Sequence, residues 1–229
     1  MNIHKTYYHR RLPHWHPENA IFHVVFRLSG SLPVRIIQEL QDKRDIYYDK
    51  IKKVTDPSQR KKIIKDFQFN YFNKYDSILN SNSTGPAWLK NDSIASVVKH
   101  VLHKHDNKEY ILWAYTIMSN HVHAILEFVH KEPFYPTEFQ SIYFYNAKFT
   151  PLSNVLRLIK GYTARIGNEI LKRKGSFWQH ESYDHVIRDE DEFENSIWYV
   201  LNNPVSAGIV NSWKDYKWNY AKREFFDDA

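Results

Sequence analysis

The segment YILWAYTIMSNHVHAILEF, residues 110 to 128, constrains this chain more than any other stretch. Tyr110 to Met118 and Val122 to Phe128 are apolar runs rich in β-branched and aromatic residues, and Ser119-Asn120 between them is turn chemistry. Two such runs joined so tightly predict a β-hairpin. Successive side chains of a strand point to opposite faces. His121 and His123 therefore share one face at the start of the second strand, and something on that face has to meet two imidazoles set in an apolar run.

The flanking segments supply the rest of a sheet. AIFHVVFRLSGSLP, residues 20 to 33, predicts a further strand that stops at Gly30 and Pro33. Two stretches follow, PVRIIQELQDKRDIYYDKIKKV and PSQRKKIIKDFQFNYFNKYDSIL, with apolar residues three and four apart and Pro57 as a helix start. Their charges alternate in sign, which suits a solvated helical hairpin or a DNA-binding insert. NDSIASVVKHVLHKHD predicts an amphipathic helix capped by Asn91 or Asp92, with Ile94, Val97, Val98, Val101 and Leu102 inward.

Residues 132 to 151 are aromatic without a period and read as a loop. From Leu152 a helix is expected to about Arg173, with Leu152, Val155, Leu156, Ile159, Ile166 and Ile170 as its buried stripe and Gly175 ending it. A short extended piece, SFWQHESYDHVIR, carries Trp178, expected to pack on the sheet. A last helix then opens at Asp189 or Asp191 and is expected to stop at Pro204. The order predicts an α+β fold, an antiparallel β-sheet with helices packed on its faces. One domain over residues 1–229 is expected, with an N-terminal arm at 1–19 and a helical insertion at about 37–90.

Composition narrows the chemistry. There is no cysteine, which excludes disulfides, thiolate metal sites and cysteine nucleophiles. The formal charge of +6 and the 16% aromatic content suit single-stranded nucleic acid, because phosphates pair with cations while bases stack on rings. No run is long and apolar enough to span a membrane, and MNIHKTYYHRRLPHWHPENA lacks the core of a signal peptide, so a cytoplasmic address is expected.

On a helical wheel of the last helix, Phe193, Ile197, Val200 and Leu201 cluster as the core face, whereas Tyr199 and Asn203 stack one turn apart on another side. A phenol and a carboxamide thus share a surface. The alternative is a rim tyrosine and an asparagine that merely ends the helix. Tyr162, on the preceding helix, is the rival phenol, read as partly buried packing. Lys5, Tyr7, Arg10, Arg11 and Trp15 in the arm mix cations with stacking surfaces, and Lys160 and Arg165 are placed to follow phosphates.

Taken together, SNHVHAILEF, GSFWQHESYDHVIRDEDEFENSIWYVLNNPVSAGIV and RRLPHWHPENAIFHVVFRLSGSLP resemble the REP-associated tyrosine transposases, a branch of the single-strand DNA transposases that carry a His-hydrophobic-His motif. The resemblance covers about two-thirds of the chain and leaves out the helical insertion and the aromatic stretch. It implies a ferredoxin-like, RRM-like core of the HUH class. It also implies a divalent metal, Mg2+ or Mn2+, held by His121, His123 and Asn203, with Tyr199 as nucleophile. In related simpler insertion-sequence enzymes a glutamine stands where Asn203 does.

The implied reaction is cleavage of single-stranded DNA at hairpin-forming REP-like palindromes through a 5′-phosphotyrosine, followed by strand transfer. The arm is implied to hold the hairpin. A monomer at the bacterial nucleoid is implied, rather than a dimer exchanging tyrosine helices. Two other readings stand beside this one: a domesticated, catalytically silent hairpin-binding protein, and a metal phosphoesterase that uses water.

Overall fold

The apolar runs around the two-histidine motif pair into a sheet whose two faces are both covered. The computed structural model describes residues 7–9, 13–15, 20–81, 85–128 and 151–227. A small antiparallel pair, β1 (Tyr7–His9) and β2 (Pro13–Trp15), precedes the first long strand, β3 (Ile21–Arg27). Helices α1 (Val34–Lys52) and α2 (Pro57–Ser81) come next, then α3 (Asp92–His105) and the hairpin of β4 (Ile111–Ile117) and β5 (His121–Glu127). The chain continues through α4 (Pro151–Ile170), β6 (Tyr183–Ile187), α5 (Glu190–Ser206), β7 (Asn219–Ala221) and α6 (Glu224–Asp227). Met1–Leu28 with Trp88–Ala229 form one compact unit and Ser29–Ala87 a second.

In the first unit the five strands run β6-β3-β5-β4-β7, antiparallel throughout. With α3 and α4 as the crossovers, this is the split β-α-β-β-α-β arrangement, extended by β7 at one edge. Alternation along the strands sorts side chains between two cores. Phe22, Val24 and Phe26 of β3 and Val122, Ala124 and Leu126 of β5 face α3 and α4. Ile125 of β5 and Ala114 of β4 face α5, which brings Ile197, Val200 and Leu201 against them. Each fully buried aliphatic side chain of this kind contributes about 1.5–3 kcal/mol.

Local chemistry sets most of the helix ends. Asn91 caps α3, its Oδ1 accepting from Ser93 N at 2.9 Å. Asp189 caps α5, its Oδ1 accepting from Glu192 N at 2.8 Å. Two ends differ from expectation. Helix α4 stops at Ile170 rather than near Arg173, because Lys172 takes a left-handed φ of 51° and Arg173 N reaches back to Asn168 O at 2.9 Å. Helix α5 passes through Pro204 to Ser206; the proline gives up the bond to the Val200 carbonyl one turn back, and the buried face of Ile197, Val200 and Leu201 carries the helix past it.

The stripe of α4 also ends earlier than its spacing suggests. Leu152, Val155 and Ile159 are buried as expected, but Ile170 is exposed. The inward place is taken by Thr163, which accepts from Trp178 Nε1 at 2.8 Å, and then by Gly167 beneath the Phe177 ring. Trp178 packs edge-on against Phe26 of the sheet, with ring centroids 4.9 Å apart.

In the second unit, Asp56 Oδ1 accepts from Gln59 N at 2.6 Å and starts α2 at Pro57. Tyr47 of α1 stacks on Phe67 of α2 at 3.5 Å, and Leu40, Ile51, Phe72 and Leu79 are also buried. The arm outside β1 and β2 and the aromatic stretch of 132–150 lie outside the described residues. Among the described residues, no helix is long and apolar enough to cross a membrane.

Two glycines of α4 test this packing in opposite directions. A Cβ on Gly167 would lie 2.5 Å from the Phe177 ring, whereas one on Gly161 would meet nothing within 4 Å. Gly161→Ala is expected to raise stability by about 0.5–1 kcal/mol through helix propensity. Gly167→Ala is expected to lower it by about 1–3 kcal/mol through overpacking. Thermal or urea unfolding of the two variants checks both signs.

Candidate active site

Strand parity places His121 and His123 on the α5 face of the sheet, where both are fully buried. Their ring centroids are 4.8 Å apart. Neighbouring β3 sets Arg27 opposite His121, Val25 opposite His123 and His23 opposite Ile125, all on that same face. Each histidine of the motif has a hydrogen-bond partner at Nδ1. His121 Nδ1 lies 2.6 Å from Asn120 Oδ1, and His123 Nδ1 lies 3.1 Å from His23 Nε2. A carboxamide oxygen only accepts, so His121 donates from Nδ1 and its Nε2 carries the lone pair. That is the form in which a neutral imidazole binds a metal.

Helix α5 supplies the other half. Its core face, Ile197, Val200 and Leu201, seats it on the sheet and turns Tyr199 toward the histidines. The Tyr199 ring meets His123 edge-on with centroids 6.0 Å apart, and His23 with centroids 5.9 Å apart. Asn203 follows one turn later on the same helix and is buried. The phenol is half-buried, on a rigid element, and belongs to the same chain as the histidines it faces.

Other tyrosines are set apart by position or burial. Tyr162 lies on α4, which covers the opposite face of the sheet, and it is exposed rather than part of the packing, with Arg165 over its ring at 5.3 Å. Tyr115 also points to that opposite face; burial pushes its hydroxyl well above the usual phenol range, and it lies 3.2 Å from His103 Nε2. Burial pushes Tyr216 up to about 12, and its hydroxyl donates to Ile117 O at 2.8 Å.

The residues expected at DNA fall in different settings. Tyr7 and Trp15 are register partners across β1 and β2, whereas Lys5, Arg10 and Arg11 lie outside the described residues. Arg165 pairs with Glu169 at 3.0 Å on the surface of α4. Lys160 donates to Gln179 O at 2.6 Å, His180 O at 2.8 Å and Ser182 Oγ at 3.2 Å, which takes up its three N–H groups and ties α4 to the segment before β6.

Two residues of the site escaped the sequence reading. Asn120 looked like turn chemistry, and its side chain bonds the neighbouring imidazole. His23 looked like one polar residue in an apolar strand, the same interruption that marked His121 and His123. Its strand parity was legible, but its neighbour across the sheet was not.

No family model matches this chain. Over 52 residues, 23% of this chain, it is 33% identical to a protein of Haemophilus influenzae described as a REP-associated tyrosine transposase, and the match spans 30% of that relative's length. A solved structure of a REP-associated tyrosine transposase bound to a REP hairpin is similar at a TM-score of 0.48 and 14% identity, covering 93% of this chain and 80% of that one.

The bonds of Lys160 make a separable prediction. Lys160→Met is expected to destabilise the protein by about 1–3 kcal/mol, because carbonyls lose a charged donor. That is roughly 2–4 °C of thermal midpoint per kcal/mol for a chain of this size. Arg165→Ala, on the open surface, is expected to stay within about 0.5 kcal/mol. Differential scanning calorimetry of the pair reads the contrast.

Proposed function

We propose that this protein is a metal-dependent single-strand DNA endonuclease and strand transferase of the REP-associated tyrosine transposase type. The observation that carries the reading is the Tyr199 ring set against His123 on the face where His121 and His123 stand side by side. The 52-residue likeness to the Haemophilus protein agrees with it. The donor set suits a hard or borderline divalent ion: two imidazoles, one carboxamide oxygen from Asn203, and no sulfur. Mg2+ or Mn2+ bound there would polarise the scissile phosphate and offset charge growing on its oxygens.

The chain's own residues supply the rest. His121 and His123 stand on one strand, and α5 holds the Tyr199 ring against that of His123. The phenolic oxygen attacks phosphorus in line, losing its proton to solvent, and the 3′-oxygen leaves and takes up a proton. One fragment is left on the tyrosine as a 5′-phosphotyrosine and the other ends in a free 3′-hydroxyl. Attack by a 3′-hydroxyl on that ester rebuilds a phosphodiester and releases Tyr199 without ATP.

Single-stranded hairpins of REP-like palindromes are the proposed substrate. Lys5, Tyr7, Arg10, Arg11 and Trp15 of the arm, with Arg165, are the proposed DNA contacts, and Lys160 adds its charge at the flank. Because Tyr199 meets histidines of its own chain, a monomer suffices. Such an enzyme would act at the nucleoid of a bacterial cytoplasm.

Labelled single-stranded hairpin DNA, incubated with protein and Mg2+ or Mn2+ and resolved on a denaturing gel, tests the proposal. A covalent adduct is expected from the wild type and from Tyr162→Phe, and none from Tyr199→Phe or after chelation. His121→Ala and His123→Ala are expected to lower the rate on the order of a thousandfold, the loss of several kcal/mol of charge stabilisation. Cleavage that survives Tyr199→Phe overturns the tyrosine mechanism in favour of a water nucleophile. Binding without any adduct overturns the enzyme reading in favour of a domesticated hairpin-binding protein.

A further inference from the structure

We propose that His23 is a positioning residue of this metal site, accepting a hydrogen bond from His123 Nδ1–H and so presenting the His123 Nε2 lone pair to the ion. The inference rests on the metal-dependent reading above. His23 Nε2 and His123 Nδ1 are 3.1 Å apart, and both rings are buried, His23 at 4% exposure and His123 at 0%. A hydrogen bond between two neutral imidazoles holds one proton between the two nitrogens. If His23 donates it, neutral His123 carries its own proton on Nε2 and has no lone pair there for a metal. If His123 donates it, Nε2 is a ligand. Metal binding and the direction of this bond are therefore a single choice.

The rest of the site points the same way. At His121 the acceptor Asn120 Oδ1, 2.6 Å from Nδ1, already forces the Nδ1–H form. With His23 as acceptor, both histidines of the motif take the same tautomer and leave the Nε2 lone pair available. His23 reaches the pair from β3, across the sheet, so it also holds the β5 imidazole against rotation. Its ring lies 5.9 Å from that of Tyr199, beside the 6.0 Å approach of His123, so one side chain braces a ligand and the nucleophile together.

Two measurements decide it. In the protein labelled with 15N-histidine, long-range 1H–15N correlation above the imidazole titration range is expected to show His121 and His123 protonated at Nδ1 and His23 bare at Nε2. His123 protonated at Nε2 overturns the inference. Mn2+ titration followed by electron paramagnetic resonance, without DNA, is expected to show about 10- to 100-fold weaker binding in His23→Phe. His23→Gln, whose carboxamide oxygen can accept in place of Nε2, is expected to bind close to the wild type and guards against a misfolded phenylalanine variant. Equal Mn2+ affinity in wild type and a folded His23→Phe overturns the role of His23 alone. No Mn2+ binding by the wild type overturns the proposed function and this role with it.

Discussion

The pairing of β3 with β5 is the constraint on which the rest depends. Seven residue pairs run from Ile21 opposite Glu127 to Arg27 opposite His121. Because side chains alternate, a slip of one residue would exchange the faces of the whole strand. It would send Val122, Ala124 and Leu126 to the α5 side and both motif histidines into the core under α3 and α4. The two apolar cores therefore enforce the register, and the register places the imidazoles. Buried imidazoles without partners would be costly. Asn120 from the hairpin turn and His23 from the adjacent strand meet that need.

Helix α5 is held from three directions, which gives the tyrosine a fixed place. Its start is closed by reciprocal capping: Asp189 accepts from Glu192 N, and the Glu192 carboxylate accepts from Arg188 N at 2.8 Å and meets His185 of β6 at 2.8 Å. Its middle is seated by Ile197, Val200 and Leu201. Its outer side is braced by Trp198 against Trp213, Phe225 and Phe226. A side chain on such an element keeps its geometry better than one on a loop. The chain after α5 contributes most of that brace, and β7 in the same stretch pairs with β4.

Much of this was legible from local pattern. The strands at 20–33 and 110–128, the caps at Asn91 and Asp189 and the start at Pro57 all follow from neighbours in sequence, because strand alternation and capping act over two to four residues. Misjudged points came where a distant partner decides. Ile166 and Ile170 continue the period of α4, but the Phe177 ring claims Gly167 from ten residues away. Tyr162 falls at the edge of the same stripe and is exposed, while Pro204 looked like a stop and is carried by a helix already seated on the sheet. Nothing before the structure marked β7, a three-residue strand that exists because β4 offers it an edge.

By itself the sequence determined that His121 and His123 face one way, that Tyr199 and Asn203 stack one turn apart, and that thiolate chemistry is absent, since these depend only on strand and helix periods and on composition. Tertiary structure alone decided that the two halves meet. Tyr199 and His123 are separated by more than seventy positions, and only the packing of α5 on the face set by the β3–β5 register brings their rings to 6.0 Å. The same packing set Tyr199 beside the histidines, left Tyr162 on the far side of the sheet and brought in His23, because a periodic pattern says which way a side chain points and not what stands opposite it.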